Sequence, residues 1–224
     1  MEQRTVLLIG KDAAHMLSKS HVAVLGVGGV GCQCIEALVR AGVGRITAID
    51  RDVFEESNLN RQLYATRETL GKSKARAAAD RAALINPSCH VNALDESISG
   101  ENVAELIAGE IDYVCDAIDD INAKVAVAKH CAVNSIPLIS CMGAGNRIGT
   151  GQFSVMDIFK TSYDPLAKIM RKKLREAGIN KLEVCASSEE PYLRAARPPA
   201  SISFVPPMAG LTMAGHVIRA LAKV

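Results

Sequence analysis

Residues 22–50 read VAVLGVGGVGCQCIEALVRAGVGRITAID, and this stretch decides the fold of the chain. Val22 to Leu25 form a short apolar run that stops at a glycine. Helical periodicity follows from Cys32 to Ala41, and Arg45 to Asp50 has the pattern of a second strand with an acidic end. The order strand, glycine turn, helix, strand predicts the first half of a nucleotide-binding α/β fold.

The same alternation continues downstream. Strands are predicted at His90–Ala93, Ile111–Ile118 and Pro137–Cys141, and helices at Lys72–Leu84, at residues 101–109 and from Asp120 to about Asn134. Such alternation predicts a Rossmann-like, doubly wound, mostly parallel sheet that binds ligands at the carboxyl ends of its strands.

The pattern changes after Gly143, where an additional C-terminal α+β segment is expected. It comprises a strand within Gly151–Phe159, a basic helix at Asp164–Ala177, a proline-rich loop at Ser187–Pro207 and a helix at Met208–Val224. We interpret residues 1–224 as one domain, with a nucleotide-binding core at about 20–145 and a substrate-facing segment at about 146–224.

Composition excludes several classes of protein. The chain of 224 residues is 49% apolar and 22% charged, which is enough to bury a full core. It has no targeting signal and no apolar run of the roughly 18 residues that a membrane span needs, so we expect a cytoplasmic protein without stable membrane insertion. The seven cysteines include no C-x-x-C pair, which favours free thiols in a reducing compartment over disulfides or a structural zinc site.

The glycine-rich turn predicts a nucleotide site. Gly26, Gly28 and Gly31 satisfy G-x-G-x-x-G between a strand and a helix, where glycine lets the backbone approach phosphates at a helix N-terminus. Asp50 ends the next strand, where a carboxylate accepts hydrogen bonds from ribose hydroxyls. These residues alone leave NAD and ATP open, and a tight turn that binds nothing is the alternative.

Cationic residues downstream favour a triphosphate. Arg61 and Lys74 follow the ribose-binding position, and both side chains suit a transition state that gains charge on phosphate. Asp119, at the tip of a buried strand, is suited to hold Mg²⁺. Only about 80 residues follow Gly143, which is little room for the second domain of a dehydrogenase. The alternative interpretation of Arg61 and of Lys74 is an ordinary solvated charge on the surface.

The motifs G-x-G-G-x-G, D-x-D, S-N-x-N-R-Q, G-x-x-K, I-N-P and D-x-x-D occur in this order and resemble the ubiquitin-activating-like (ThiF/MoeB) superfamily of adenylate-forming enzymes. The resemblance covers residues 1 to about 145. It implies ATP and Mg²⁺ as cofactors, with Arg61, Lys74 and Asp119 as catalytic residues and Asp119 as the magnesium ligand. The implied ATP-binding set is Gly26, Gly28, Gly29, Gly31, Asp50, Asp52, Asn58, Arg61, Gln62 and Lys74.

Arg4 matches an N-terminal arginine that reaches the ATP site of the partner subunit in this superfamily, so the resemblance also implies a homodimer. An ordinary terminal charge is the alternative for Arg4. For Asp52 and Asp120, the alternative to a role in the site is that each only caps a helix or pairs with a nearby residue.

Four later segments resemble a branch of the superfamily that modifies tRNA: SCMGAGN (140–146), DIFKT (157–161), DPLAK (164–168) and FVPPMAGL (204–211). This implies that ATP activates the carboxylate of N6-threonylcarbamoyladenosine beside the anticodon, and that the group then cyclises with loss of water. The alternatives are adenylation of the C-terminus of a ubiquitin-like sulfur-carrier protein, an NAD-dependent oxidoreductase, and a non-catalytic scaffold that binds a sulfur-transfer partner of the desulfurase type.

Intramolecular attack needs no protein nucleophile. Buried packing is therefore the expected role of the cysteines, although Cys185 lies where sulfur-transferring relatives place a reactive cysteine. A basic stretch offers a contact for tRNA phosphates, with Tyr163 and Tyr192 as the nearest aromatic residues for base stacking. Its cations are Lys160, Lys168, Arg171, Lys172, Lys173, Arg175 and Lys181. A solvated helix face is the alternative.

Overall fold

The structure is a computed structural model that describes residues 3–150, 152–193 and 199–224. Gly151 of the predicted strand and residues 194–198 of the predicted loop lie outside the described residues. The strands are β1 His21–Leu25, β2 Arg45–Ile49, β3 His90–Leu94, β4 Tyr113–Asp116, β5 Leu138–Cys141, β6 Phe153–Asp157 and β7 Glu183–Ser187. The helices are α1 Gln3–Ile9, α2 Lys11–Lys19, α3 Gly31–Ala41, α4 Lys74–Ile85, α5 Val103–Leu106, α6 Ile121–Val133, α7 Pro165–Glu176 and α8 Val205–Ala222.

The strands form one seven-stranded sheet in the order β3-β2-β1-β4-β5-β7-β6. All neighbouring pairs are parallel except β6 with β7. The chain moves outward from β1 to β3 and then returns to lay β4 on the other side of β1. This reversal places a switch point, and hence a crevice for a ligand, at the carboxyl ends of β1 and β4.

Each face of the sheet is covered, which confirms the doubly wound fold. In β1, Val22 and Val24 point to one core and Ala23 and Leu25 to the other, because successive strand side chains alternate. The first core contains α2, α3, α4 and α8, and the second contains α6 and α7. A strand buried on both faces needs apolar residues throughout, which is why residues 22–25 read as an uninterrupted run.

The structure also differs from the sequence-based prediction in five elements. Two helices, α1 and α2, precede β1, and β7 was not predicted, because its EVCAS sequence has no alternation while four of its five residues are buried. The helix predicted at residues 101–109 shortens to α5. Helix α8 begins earlier than predicted because proline is tolerated in a first helical turn, where its missing N–H is not needed. Within the described residues, no helix has the length and hydropathy of a membrane span.

A candidate nucleotide-binding cleft

A cleft of about 560 Å³ opens at the switch point, where β1, β2 and β4 end. Most of the predicted site residues line it: Gly26, Gly28, Gly29, Asp50, Asp52, Asn58, Arg61, Gln62, Lys74 and Asp119. Two others lie elsewhere. Gly31 is the first residue of α3, and Arg4 is exposed on α1. The structure therefore brings together groups that are up to 93 residues apart in sequence, since Gly26 and Asp119 share one cavity.

The glycines of the turn have different reasons for being glycine. Gly26 has a φ of +87°, and a Cβ there would lie 2.8 Å from the carbonyl oxygen of Ala117. At Gly31 a Cβ would stand 1.8 Å from the oxygen of Gly26. Gly28 meets no such obstacle, because its nearest neighbour would be the Gln62 side chain at 3.9 Å. The fold itself requires Gly26 and Gly31, whereas Gly28 leaves space in the cleft that suits a close phosphate.

Asp50 is held rigidly beside this turn. Its Oδ2 accepts a hydrogen bond of 2.6 Å from the backbone N–H of Val27, and its Oδ1 accepts one of 2.8 Å from that of Asp52. A carboxylate has about four acceptor positions, so each oxygen retains one for a ligand hydroxyl. The geometry fits a ribose-binding carboxylate that is fixed before the ligand arrives.

Lys74 reaches the cleft from the first turn of α4, which begins after Ser73 caps it by accepting from the N–H of Arg76. The side chain is only 8% exposed, and its Nζ lies 3.1 Å from Oδ2 of Asp52. Within the described residues this is the one polar contact of the ammonium, which has three N–H donors. Asp52 therefore orients Lys74, and the remaining donors are available to phosphate oxygens.

Arg61, Asn58 and Gln62 line the cleft from the loop between β2 and α4. The Nη1 of Arg61 donates to the carbonyl oxygen of Ser57 at 3.0 Å, which leaves other guanidinium N–H groups unused. Asn58 Oδ1 accepts from the N–H of Glu55 at 3.1 Å and thereby fixes the loop. Gln62 is 6% exposed, and its Oε1 is buried without a hydrogen-bond partner among the residues that the structure covers. Since buried polar atoms are normally paired, this orphaned oxygen indicates a surface built to meet a ligand.

Asp119 and Asp120 differ in role. Asp120 Oδ1 caps α6 by accepting from the N–H of Ala123 at 2.7 Å, and the residue also lines the cleft. Asp119 projects into the cleft and is exposed. The described part of the chain contains no group of three or more His, Cys, Asp or Glu side chains arranged to hold a metal. Asp119 fits a cation that takes a single carboxylate and completes its shell with phosphate oxygens and water, as Mg²⁺ does.

A buried ion pair beneath the cleft was not predicted from the sequence. The Nζ of Lys124 donates to Oδ2 of Asp116 at 3.0 Å, to Oγ of Ser140 at 3.0 Å and to the carbonyl oxygen of Cys141 at 2.8 Å. Asp116 Oδ1 accepts from the N–H of Ile118 at 3.1 Å. This network joins the ends of β4 and β5 to α6 and fixes the turn that carries Asp119. The one signal in the sequence was an acidic residue inside an otherwise apolar strand.

The SCMGAGN and DPLAK segments meet at a second buried ion pair. Arg147 lies 3.5 Å from Oδ2 of Asp164, and both side chains are almost fully buried. Asp164 also accepts from the N–H of Gly143 at 2.8 Å and caps α7 by accepting from the N–H of Ala167. These contacts anchor the loop after β5 to α7.

Every cysteine is buried, as expected from the sequence. A hydrogen bond with Cys141 and burial raise the pKa of the Cys185 thiol far above its usual range. Burial also raises the pKa of Cys32 to about 12 and that of Cys131 to about 12. Cys185 lies within β7 and does not line the cleft, so the fold gives it no access to a substrate bound there.

The basic stretch divides into two groups. Arg171 donates to Thr161, Lys173 to Asn122 at 3.3 Å, and Arg175 stacks 4.9 Å above the ring of Phe159. Exposed cations form the second group: Lys160, Lys168, Lys172 and Lys181. We call this second group the α7 basic patch. Among the described residues, the one ion pair of this patch is the loose contact of 3.9 Å between Lys172 and Glu176.

Three comparisons with known proteins agree with this geometry. The ThiF family matches residues 2–224. The tRNA threonylcarbamoyladenosine dehydratase of Bacillus subtilis is 43% identical over 98% of this chain and 94% of that protein. The crystal structure of the Escherichia coli tRNA N6-threonylcarbamoyladenosine dehydratase with AMP matches with a TM-score of 0.94 at 34% identity, over 98% of this chain and 93% of that chain. The ATP complex of the same Escherichia coli protein matches with a TM-score of 0.92 at 33% identity over the same shares of the two chains.

Proposed function

This chain belongs to the ThiF family, and from that premise we propose that it catalyses the ATP-dependent cyclising dehydration of N6-threonylcarbamoyladenosine in tRNA. One observation carries the proposal. The cleft combines a fixed ribose-binding carboxylate with Arg61, the buried Lys74 and the Gln62 amide, which all retain unused hydrogen-bonding capacity, in a chain that aligns along 98% of its length with a tRNA threonylcarbamoyladenosine dehydratase. We propose a cytoplasmic location, which the seven buried free thiols support.

The chemistry proceeds in two steps. A carboxylate oxygen of the threonylcarbamoyl group attacks the α-phosphorus of ATP, and the bond to pyrophosphate breaks. A nitrogen or oxygen of the same group then attacks the activated carbonyl carbon, and AMP leaves with the former carboxylate oxygen. The nucleoside loses one water overall, and ATP becomes AMP and pyrophosphate. Because the attacking atom is already tethered, proximity replaces a protein nucleophile.

We assign the residue roles from the contacts in the cleft. Asp50 binds the ribose, and the turn at Gly28 approaches the phosphates. Arg61 and Lys74 neutralise the charge that develops on the phosphates, as preorganised donors with few internal partners. Asn58 fixes the loop that carries Arg61, and Gln62 offers its unpaired oxygen to the bound nucleotide.

Asp119 is the proposed magnesium ligand. Its carboxylate stands at the end of β4 beside the phosphate region, and the buried Lys124 network holds its turn in place. Mg²⁺ bound there would neutralise the phosphates of ATP during transfer. Asp119→Asn should abolish Mg²⁺-dependent tightening of ATP binding while the binding of ATP without metal stays the same, which calorimetry with and without the ion would measure.

The α7 basic patch is the proposed contact for tRNA phosphates. Charge complementarity supports this, since its four lysines are exposed and Tyr163 beside them is also exposed. A sulfur-transfer protein of the desulfurase type stays a second proposed partner, and co-purification with the tagged chain tests it.

We also propose a homodimer in which Arg4 enters the ATP cleft of the second copy. Helix α1 supports this because it buries no residue of its own and exposes Leu7 and Leu8, each by 85%. A mixture of Arg4→Ala and Arg61→Ala chains should recover activity that neither variant has alone. In a mixed dimer one cleft would receive an intact arginine from each copy.

The deciding experiment is mass analysis of tRNA nucleosides after incubation with ATP and Mg²⁺. The threonylcarbamoyladenosine nucleoside should become lighter by one water, and AMP should form in equal amount. An unchanged nucleoside with folded protein would contradict the proposal. Pyrophosphate exchange that depends on a small sulfur-carrier protein rather than on tRNA would favour the alternative adenylation, and a thermal shift with NAD but not with ATP would favour an oxidoreductase.

A further inference from the structure

The segment at residues 199–206 forms one wall of the cleft, through Pro199, Ser201 and Pro206. It is held at both ends. Ala200 exchanges two hydrogen bonds of 2.7 Å with Asn146, one from each backbone N–H. At the other end, Pro206 Cβ lies 3.0 Å from the point where a Cβ on Gly29 would stand. The wall is therefore positioned against the glycine turn before any ligand binds.

Ser201 carries an unpaired hydroxyl within this wall. Its Oγ is buried and has no hydrogen-bond partner within the described residues. A serine hydroxyl donates one hydrogen bond and accepts two, and a buried hydroxyl that makes none is costly. Gln62 Oε1 is the other orphaned side-chain atom found among the described residues, and it lines the same cleft. Two unpaired buried atoms on residues that line a single cavity point to one ligand that contacts both walls.

Asn60 connects this wall to the phosphate region. Its Nδ2 donates to the carbonyl oxygen of Ser201 at 3.1 Å, and its Oδ1 accepts from Nη1 of Arg61 at 2.8 Å. The bridge fixes Ser201 relative to the guanidinium that faces the phosphates. This bridge supports a position for Ser201 near the phosphates that Arg61 is proposed to bind.

The lining of the cleft indicates which part of the ligand Ser201 meets. Asp50 and residues 96–98 line the part of the cleft that is proposed to bind the ribose, and Gly28 lines the part that is proposed to bind the phosphates. Ala144 and Gly145, at the end of the nucleotide-binding core, and Ser201, in the substrate-facing segment, line another part of the cleft. We propose that the Ser201 hydroxyl donates a hydrogen bond to the carboxylate that is activated, and thus binds the acyl end of the adenylate. This inference rests on the proposed function.

The test compares Ser201→Ala with Ser203→Ala in the full-length protein. Ser203 lies two residues away in the same segment and is exposed, so its variant controls for a change in the loop. Ser201→Ala should lower kcat/KM for threonylcarbamoyladenosine-bearing tRNA by roughly tenfold or more, because a hydrogen bond to a charged group is lost. Its affinity for ATP alone, measured by calorimetry, should equal that of the wild type. Ser201→Thr keeps the hydroxyl and should recover part of the activity.

Three results would overturn the inference. Equal activity of Ser201→Ala and the wild type would show that the hydroxyl does not bind the substrate. A loss of ATP affinity as large as the loss in kcat/KM would make Ser201 a nucleotide-binding residue instead. A Ser201→Thr variant as inactive as Ser201→Ala would indicate a role for side-chain shape. A wild-type protein that converts no nucleoside would contradict the proposed function itself and this inference with it.

Discussion

Lys74 and Lys124 make ion pairs of similar length, but their ammonium groups differ in the number of hydrogen bonds that they form within the protein. Lys74, at the rim of the cleft, lies 3.1 Å from Asp52, and Lys124, beneath the cleft, lies 3.0 Å from Asp116. The ammonium of Lys124 donates to three acceptors and is fully buried, whereas that of Lys74 has one partner within the described residues. A charged group whose hydrogen bonds are all made within the protein stabilises the fold, and one with unused donors is available to a ligand.

The distinction extends to the other charged groups near the cleft. Arg61 and Asp119 belong with Lys74, since each has hydrogen-bonding capacity that the fold does not use. Arg147 belongs with Lys124, because its guanidinium is buried against Asp164 and nearby carbonyl oxygens. Substitutions in the first group should therefore change activity, and substitutions in the second should change stability.

Arg61→Ala should give the largest effect. An arginine that meets developing charge on a transferring phosphoryl group contributes about 10³-fold or more in rate, which corresponds to about 4 kcal/mol. The free energy of unfolding should change by less than about 1 kcal/mol, because Arg61 makes few internal contacts. AMP release and urea unfolding measure the two quantities. Arg67→Ala is the control, since Arg67 pairs on the surface with Glu56. Equal loss of activity in both variants would contradict the assignment.

Lys124→Met should lower the free energy of unfolding by about 3–5 kcal/mol, because it leaves the buried Asp116 carboxylate without its cation. Urea unfolding at constant pH measures this. Lys129→Met on the same helix is exposed and should change stability by no more than about 0.5 kcal/mol. If the two variants were equally stable, the ion pair would not hold the floor of the cleft.

The charged residues with unused hydrogen-bonding capacity were predicted from the sequence better than the buried, fully paired ones. Arg61, Lys74 and Asp119 follow strand ends in ordered motifs, so their placement follows from the topology of a parallel sheet. Lys124 occurs in a helix that is expected to be partly exposed, and its burial depends on Asp116 and Ser140, which come from two different strands. No local pattern encodes such a convergence. The same reason explains why Ser201, in a proline-rich loop, was not predicted as a cleft residue.

Both edge strands, β3 and β6, were predicted, but their neighbour on one side, β7, was not. β1 contains an uninterrupted apolar run, whereas β7 is equally long but begins with Glu183 and ends with Ser187, and it is recognisable only from its position between β5 and β6. The division of the chain into a core at about 20–145 and a substrate-facing segment stays a prediction. In the structure β6 and β7 extend the same sheet, so the second part shares its core with the first.

Lys168→Glu in the α7 basic patch should weaken tRNA binding several-fold and reduce the slope of log affinity against log salt by about 1 or more. The rate of AMP formation at saturating tRNA should stay near that of the wild type, because Lys168 does not line the cleft. Filter binding at several salt concentrations measures the slope. Lys19→Glu, on α2, makes the same charge change away from the patch. If both variants had the same slope as the wild type, the patch would be an ordinary solvated surface.

Cys185→Ala should have the smallest effect on catalysis, with kcat within about twofold of the wild type, because the thiol is buried in β7 and the reaction needs no protein nucleophile. The native protein should also resist a thiol reagent at pH 8. Reaction requires the thiolate, and burial raises the pKa of Cys89 to about 11 and that of Cys32 to about 12, so these thiols stay protonated until the pH approaches those values. Unfolding in urea should expose all seven thiols to the reagent. Rapid labelling of a single thiol in the native protein, with loss of activity that ATP prevents, would show that this cysteine lies at the ligand site.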